Sequence, residues 1–223
     1  PDRARIERTL ARYGLDAPEA HAAPIDVVEE ACALVERVRR EEFPGRGFAL
    51  GAIDPGARRD EWAFRARLGT IDTGALAAVF ERHATGRVAE LAAPRLRGLR
   101  AQTLRGFLAG FVDLVFVHED RWFVVDWKSN HLGNAIEDYG ERPIWDAMLE
   151  HHYVLQYHLY VLALHRFLRL RLKDYEYERH VGGAAYVFLR GLCGDPRRGW
   201  YVDRPPRSLI DALDAFLDGE VVP

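Results

Sequence analysis

The chain has 223 residues, of which 48% are hydrophobic and 11% aromatic, so it can bury a substantial core. Its formal net charge of −3 excludes a uniformly basic surface for nucleic acid, and any DNA contact has to use local patches of arginine. No apolar run reaches the ~18 residues that span a bilayer. The two cysteines, Cys32 and Cys193, match no CxxC or metal-binding spacing. We therefore expect no membrane contact and a reducing, cytoplasmic location.

The first half of the chain is mainly helical by its pattern of apolar residues. Four segments have helical character: 2–13, 26–42, 75–83 and 86–97. Residues 43–60 are rich in glycine, proline and arginine, which predicts a loop. A short alternating segment from Glu61 to Leu68 predicts a strand. We expect residues 1–60 to be a helical and loop lead-in to a core at 61–223, within one domain.

The second half begins with two apolar runs that predict a β-hairpin over about 106–128. A polar loop follows, and Pro143 indicates the start of a long helix from Ile144 to Leu172, with a break near His151. The segments AAYVFLRG and GWYVDRP predict two more strands, and residues 206–218 predict a last amphipathic helix. The sequence therefore predicts a mixed α/β fold whose sheet begins with an antiparallel hairpin.

The basic residues are almost all arginine. Of 31 lysines and arginines, only Lys128 and Lys173 are lysine. A lysine in a chain that otherwise uses arginine indicates chemistry that needs a compact ammonium group. The arginines that could form DNA-binding patches are Arg95, Arg97, Arg100 and Arg105, and Arg166, Arg169 and Arg171. Each patch taken alone is more typical of a solvated face.

The hairpin GFVDLVFVHEDRWFVVDWKSN carries two acids and a lysine within its apolar runs. If Glu119 and Asp120 form the turn, Asp113 lies opposite Asp126 with Cβ atoms about 5 Å apart. Lys128 then projects to the same face as Asp126, about 6.5 Å along the strand. A register shift of one residue would put the two acids on opposite faces.

Both faces of the hairpin are apolar, so we expect it to be covered on both sides. One face carries the acids with Val115, Val117, Trp122 and Val124, and the other carries Val112, Leu114, Phe116, Phe123, Val125 and Trp127. Two buried carboxylates side by side repel each other and need a cation. That cation is either the lysine itself, in a buried ion cluster that fixes the register, or a divalent metal such as Mg²⁺.

These residues also carry a resemblance to a known family. The pattern Asp113…Asp126-Trp127-Lys128 is similar to the signature of the PD-(D/E)XK nucleases. The longer segments GFVDLVF…VVDWKSNHLG, LQYHLYVLALHRFLR and DYEYERHVGGAAYVFLRG resemble the C-terminal nuclease domains of the RecB family. The close resemblance covers about Leu108 to Gly191 and implies a restriction-endonuclease-like α/β core, in which helices flank a mixed central sheet and the N-terminal part is helical.

The resemblance implies a role for each matching residue. Asp113 and Asp126 would bind a catalytic Mg²⁺, and the main-chain carbonyl of Trp127 would complete part of its shell. Lys128 would orient or polarise the attacking water and stabilise charge on the phosphate. Gln156 and Tyr160 match the family's Q-x-x-x-Y motif and share one helix face.

At the level of the whole protein, the resemblance implies a Mg²⁺-dependent exodeoxyribonuclease domain that processes double-strand breaks. The implied partners are DNA with single-stranded ends, RecC- and RecD-like subunits and, in one alternative, the RecA recombinase. In that alternative, the chain is an inactive nuclease fold that serves as a docking module for RecA or for partner subunits. No GxxxxGK[ST] loop is present, so we expect no ATP binding here.

One family feature lacks a counterpart in this sequence. The family usually adds a histidine ligand from a GTxxHxxLE-like helix well upstream of the hairpin. Gly69-Thr70 and His83 have the wrong spacing for that motif. We expect the helix to precede Pro1, and the activity of the present chain then depends on whether that helix is dispensable. Whether Glu61 joins the site is open.

Overall fold

The computed structural model describes residues 2–15, 26–65, 72–99 and 109–217. In this part of the chain, one mixed sheet of five strands follows the chain order. The strands are β1 (Arg58–Arg65), β2 (Ala109–His118), β3 (Arg121–Lys128), β4 (Val181–Phe188) and β5 (Trp200–Asp203). Neighbouring strands are antiparallel except β3 and β4, which are parallel. The predicted α/β fold with a mixed central sheet is confirmed.

Helices precede the sheet and connect its strands. They are α1 (Arg3–Arg12), α2 (Val27–Arg40), α3 (Thr73–His83), α4 (Ala93–Arg97) after a π-helical turn at Val88–Ala92, α5 (Glu141–Glu150), α6 (Tyr153–Arg171), α7 (Tyr177–His180) and α8 (Arg207–Leu217). A parallel strand pair needs a crossover connection, and α5, α6 and α7 supply it between β3 and β4. No helix in the described ranges is long and apolar enough to cross a membrane.

The sheet is covered on both faces, as the apolar hairpin predicts. Helices α3 to α6 and α8 pack on one face around Val115, Val124 and Tyr186. The other face is covered by the segment 43–53, which carries Phe43, Phe48, Leu50 and Ile53. This segment was expected to be a loop and is largely irregular, yet its apolar side chains are buried because they close the second face.

Two element boundaries depart from the prediction. Strand β1 begins at Arg58, three residues before the predicted start, and pairs with β2, so the sheet does not begin with the β2–β3 hairpin. The long helix begins at Glu141 rather than after Pro143. The expected break is present, because His152 takes a left-handed φ of 56° between α5 and α6. This break sets the direction of α6 across the sheet.

Candidate active site

The β2–β3 turn sets the register of the acidic residues. Glu119 and Asp120 have φ values of 49° and 60°, which two-residue hairpins use to match the twist of their strands. His118 pairs with Arg121, and the register continues to the pair Leu114 and Val125. The strand pairing ends there, and the next opposed residues would be Asp113 and Asp126. The two acids therefore lie at the point where the β2–β3 ladder opens.

Asp113 accepts a hydrogen bond from the backbone of the next strand. Its Oδ2 atom lies 2.8 Å from the amide nitrogen of Trp127, which donates. A carboxylate thus takes the place of a main-chain acceptor at the point where the strands separate. The predicted role of Trp127 concerned its carbonyl, and the contact that the structure places here is made by its amide. The carbonyl role stays a prediction.

The regular alternation of side chains is broken at Asp113. Val112 packs with the cluster under the helices, whereas Leu114 packs with the opposite cluster. In an unbroken strand, residues two apart share a face, so the prediction that these two share one is wrong. On the neighbouring strand β1, Glu61 lies between the residues that pair with Val112 and Leu114. Glu61 is exposed and has a left-handed φ of 51°. This irregularity changes the direction of the side chains next to Asp113.

Asp126 and Lys128 form a buried ion pair at the C-terminal end of β3. Their exposed fractions are 5% and 9%, and the Lys128 Nζ atom contacts Asp126 Oδ2. Burial raises the pKa of Asp126 above its usual range, and the negative charge of Asp113 acts in the same direction. The attraction of Lys128 lowers this pKa but does not cancel the effect of burial. One ammonium therefore leaves the charge of Asp126 incompletely compensated.

Helix α6 brings both residues of the predicted Q-x-x-x-Y motif to this pair. Gln156 Oε1 accepts hydrogen bonds from Lys128 Nζ at 3.2 Å and from the Tyr186 hydroxyl at 2.7 Å. The Tyr160 hydroxyl donates to the carbonyl of Phe111 at 3.4 Å and also interacts with Asp126. Burial, followed by the charge of Asp126, raises the pKa of Tyr160, so this hydroxyl stays protonated.

Two tyrosines at the site were not identified from the sequence. The Lys128 Nζ atom lies 3.8 Å from the ring centroid of Tyr153 and 4.8 Å from that of Tyr186. The Tyr153 hydroxyl donates to Asn130 Oδ1 at 3.2 Å. In the sequence these tyrosines are typical of a core. The one available signal is that Tyr153 lies three residues before Gln156, on the same helix face.

The carboxylate oxygens of the site are of the kind that binds a divalent cation. Asp113 and Asp126 supply hard carboxylate oxygens, which Mg²⁺ and Ca²⁺ prefer. Across the described ranges, no three His, Cys, Asp or Glu side chains are grouped to hold a metal ion. A cation bound here would therefore complete its shell with main-chain, water or phosphate oxygens, as Mg²⁺ commonly does.

Most arginines of the two predicted patches that the structure describes have acidic partners. Arg166 and Arg169 both bond to Asp214 on α8. Arg97 bonds to Glu81 through both carboxylate oxygens. These contacts match the interpretation of the patches as ordinary surface charge. Arg100 and Arg105 lie outside the described residues, as do Gly69 and Thr70.

Comparison with known proteins assigns the chain to a family. A profile of the PD-(D/E)XK nuclease superfamily matches residues 8–215. The RecBCD enzyme subunit RecB of Escherichia coli (strain K12) is 48% identical over 122 residues, which is 54% of this chain and 10% of that protein. RecB of Haemophilus influenzae (strain ATCC 51907 / DSM 11121 / KW20 / Rd) is 43% identical over 53% of this chain and 10% of its own length. RecB of Mycobacterium tuberculosis (strain ATCC 25618 / H37Rv) is 46% identical over 54% and 12%. The chain thus aligns with about a tenth of these relatives.

Proposed function

The chain belongs to the PD-(D/E)XK nuclease superfamily, and we propose that it is a metal-dependent deoxyribonuclease domain of a RecBCD-type helicase–nuclease. One observation carries the proposal. Asp113, Asp126, Lys128 and Gln156 come from β2, β3 and α6 and meet where the β2–β3 ladder opens. A cluster of two acids and one ammonium, in which Asp126 and Lys128 are buried, is a poor source of stability, which favours a role in chemistry.

The residues that would hold the metal are Asp113 and Asp126, with the carbonyl of Trp127, and Mg²⁺ is the ion proposed. When bound, the ion would lower the pKa of a water molecule and polarise a phosphate oxygen. The hydrogen bond from the Trp127 amide orients the carboxylate of Asp113 before any ion arrives. The position of Asp126 at the end of β3 leaves its carboxylate next to that of Asp113.

Lys128 is the proposed electrostatic group for the phosphate and the attacking water. Its ammonium is nearly buried, where a positive charge acts more strongly on a developing negative charge than it does in water. Gln156 holds this ammonium from the helix side, because its Oε1 atom accepts a hydrogen bond from Lys128 Nζ. The Tyr160 hydroxyl, which stays protonated, is a donor beside Asp126.

The proposed substrate is DNA with single-stranded ends, read with low sequence preference because the site engages phosphate rather than bases. We further propose that the chain forms one nuclease domain and acts in the repair of double-strand breaks by recombination. Its proposed partners are RecC- and RecD-like subunits, with RecA as an alternative. The proposed location is the cytoplasm, which suits its two free cysteines.

The test is cleavage of single-stranded DNA by this chain with Mg²⁺, with chelator, and by the Lys128→Ala variant. We expect cleavage with Mg²⁺ alone, and a loss of about 10²-fold or more in Lys128→Ala. Lys173→Ala is the matched control, because Lys173 is the other lysine of the chain and is exposed. It should cleave at the wild-type rate.

Two outcomes would contradict the proposal. Cleavage that persists in chelator would exclude the metal. Absence of cleavage, even after the upstream segment of a full-length relative is joined to the chain, would favour the docking module. Restored cleavage in the joined protein would show that the upstream helix supplies a necessary ligand.

A further inference from the structure

The ammonium of Lys128 is surrounded by more partners than one ion pair requires. It contacts Asp126, donates a hydrogen bond to Gln156 Oε1 at 3.2 Å and lies over the ring of Tyr153 at 3.8 Å from the ring centroid. The ring of Tyr186 is 4.8 Å away on another side. Among these four contacts, Asp126 supplies the one negative charge, and the other three groups are neutral.

Each neutral partner is itself held in place. The Tyr186 hydroxyl donates to Gln156 Oε1 at 2.7 Å, so the same oxygen binds the tyrosine and the lysine. The Tyr153 hydroxyl donates to Asn130, and the Tyr153 ring stacks on His151 with centroids 5.2 Å apart. The two rings are therefore fixed by contacts that do not involve the lysine.

The difference between charged and neutral partners matters when a metal binds. A divalent cation competes with the ammonium for the oxygens of Asp126, because both are attracted to the same carboxylate. It does not compete for the face of a tyrosine ring that is already covered by the lysine. Attraction between an ammonium and an aromatic face is strongest where water is excluded, as it is at this nearly buried side chain.

We propose that Tyr153 and Tyr186 are positioning residues, whose ring faces keep the Lys128 ammonium at the site when a metal takes over Asp126. The inference rests on the proposed function. It explains why the site uses lysine in a chain with arginine almost everywhere else, because the space between two rings and an amide oxygen fits a compact ammonium. Tyr153 has the closer ring and is the main contributor.

The lysine count allows a direct measurement. With lysine labelled by ¹³C and ¹⁵N, the chain gives two side-chain signals, from Lys128 and the exposed Lys173. Protons over a ring face are shifted upfield, so the Hε protons of Lys128 should lie upfield of those of Lys173. The shift should persist when Mg²⁺ is added.

The variants separate the ring from the hydroxyl. Tyr153→Phe and Tyr186→Phe keep the ring face, so they should keep the upfield shift and cleave within about threefold of wild type. Tyr153→Leu should move the Lys128 signal toward that of Lys173 and lower kcat about tenfold with KM unchanged. Tyr153→Met, which fills the space without a ring, provides the same test if the leucine variant does not fold.

The control is Tyr175→Leu, a half-buried tyrosine that bonds to His165 on the far half of α6. It should leave the Lys128 signal and kcat unchanged. Three results would each overturn the inference. The Hε protons of Lys128 and Lys173 could have equal chemical shifts in wild type, the upfield shift could be unchanged in Tyr153→Leu, or the upfield shift could be lost when Mg²⁺ is added.

The two proposals fail in different ways. If neither the chain nor the protein joined to the upstream segment gives metal-dependent cleavage, the proposed function fails, whatever the NMR signals show. If wild type cleaves DNA and the Lys128 signal does not respond to Tyr153→Leu, the nuclease proposal stands and the role of the tyrosines is wrong.

Discussion

At the residue scale, the negative charge of Asp126 is unfavourable in the metal-free fold because the side chain is buried. Its raised pKa means that its contribution to stability is present at low pH and is lost as pH rises through the folded-state pKa. We expect Asp126→Asn, which is neutral at every pH, to raise the free energy of unfolding at pH 7 without metal. Cleavage should fall by about 10²-fold.

Urea unfolding in chelator, with cleavage measured in parallel, checks this prediction. A clear loss of metal-free stability in Asp126→Asn would instead favour a structural ion pair with Lys128. Asp113→Ala tests the repulsion between the two acids less directly, because it also leaves the Trp127 amide without its acceptor. Its effect on stability therefore mixes a removed repulsion with a lost hydrogen bond.

At the scale of elements, the β2–β3 turn is formed by residues that tolerate its backbone poorly. Glu119 and Asp120 both have positive φ, where Asn and Gly are favoured. Replacing this pair with Asn-Gly should stabilise the protein by about 1 kcal/mol, less any small loss from the exposed contact between Asp120 and Arg179. The midpoint of urea unfolding should rise while kcat stays unchanged, because the register is retained. A fall in kcat would show that the substitution shifts the register of the acids.

At the scale of the whole molecule, buried histidines make the fold sensitive to acid. His158 is 1% exposed, and its Nδ1 atom donates to the Val154 carbonyl at 2.7 Å. Burial lowers its pKa to about 4, and burial also lowers the pKa values of His152 and His165. Because the unfolded chain binds protons that the fold excludes, stability should fall as pH drops from about 6.5 to about 4.

The expected loss from His158 alone is about 3 kcal/mol over that window. Urea unfolding at pH 7 and pH 4.5 measures it. In His158→Asn, which keeps a donor near Nδ1 but cannot gain a charge, the difference between the two pH values should shrink. The exposed His131 provides the control, and His131→Asn should show the wild-type difference. An equal pH dependence in His158→Asn and wild type would contradict the prediction.

Features that depend on local spacing could be predicted from the amino-acid sequence alone. The hairpin register follows from the turn and the period of two, so the proximity of Asp113 to Asp126 was predictable. The pairing of Gln156 with Tyr160 on one helix face follows from the period of 3.6, and the break near His151 was visible in the composition of that helix.

Contacts between distant segments could not be predicted in this way, because they depend on how the helices and strands pack together. Residues 43–53 cover the second face of the sheet although their local pattern is that of a loop. Val112 and Leu114 face opposite sides of the sheet at the point where the β1–β2 register skips Glu61. Tyr153 and Tyr186 meet at Lys128 because α6 crosses the sheet above the parallel strands β3 and β4. The physical reason is that local spacing sets which side of an element a residue faces. Packing between elements sets what it faces.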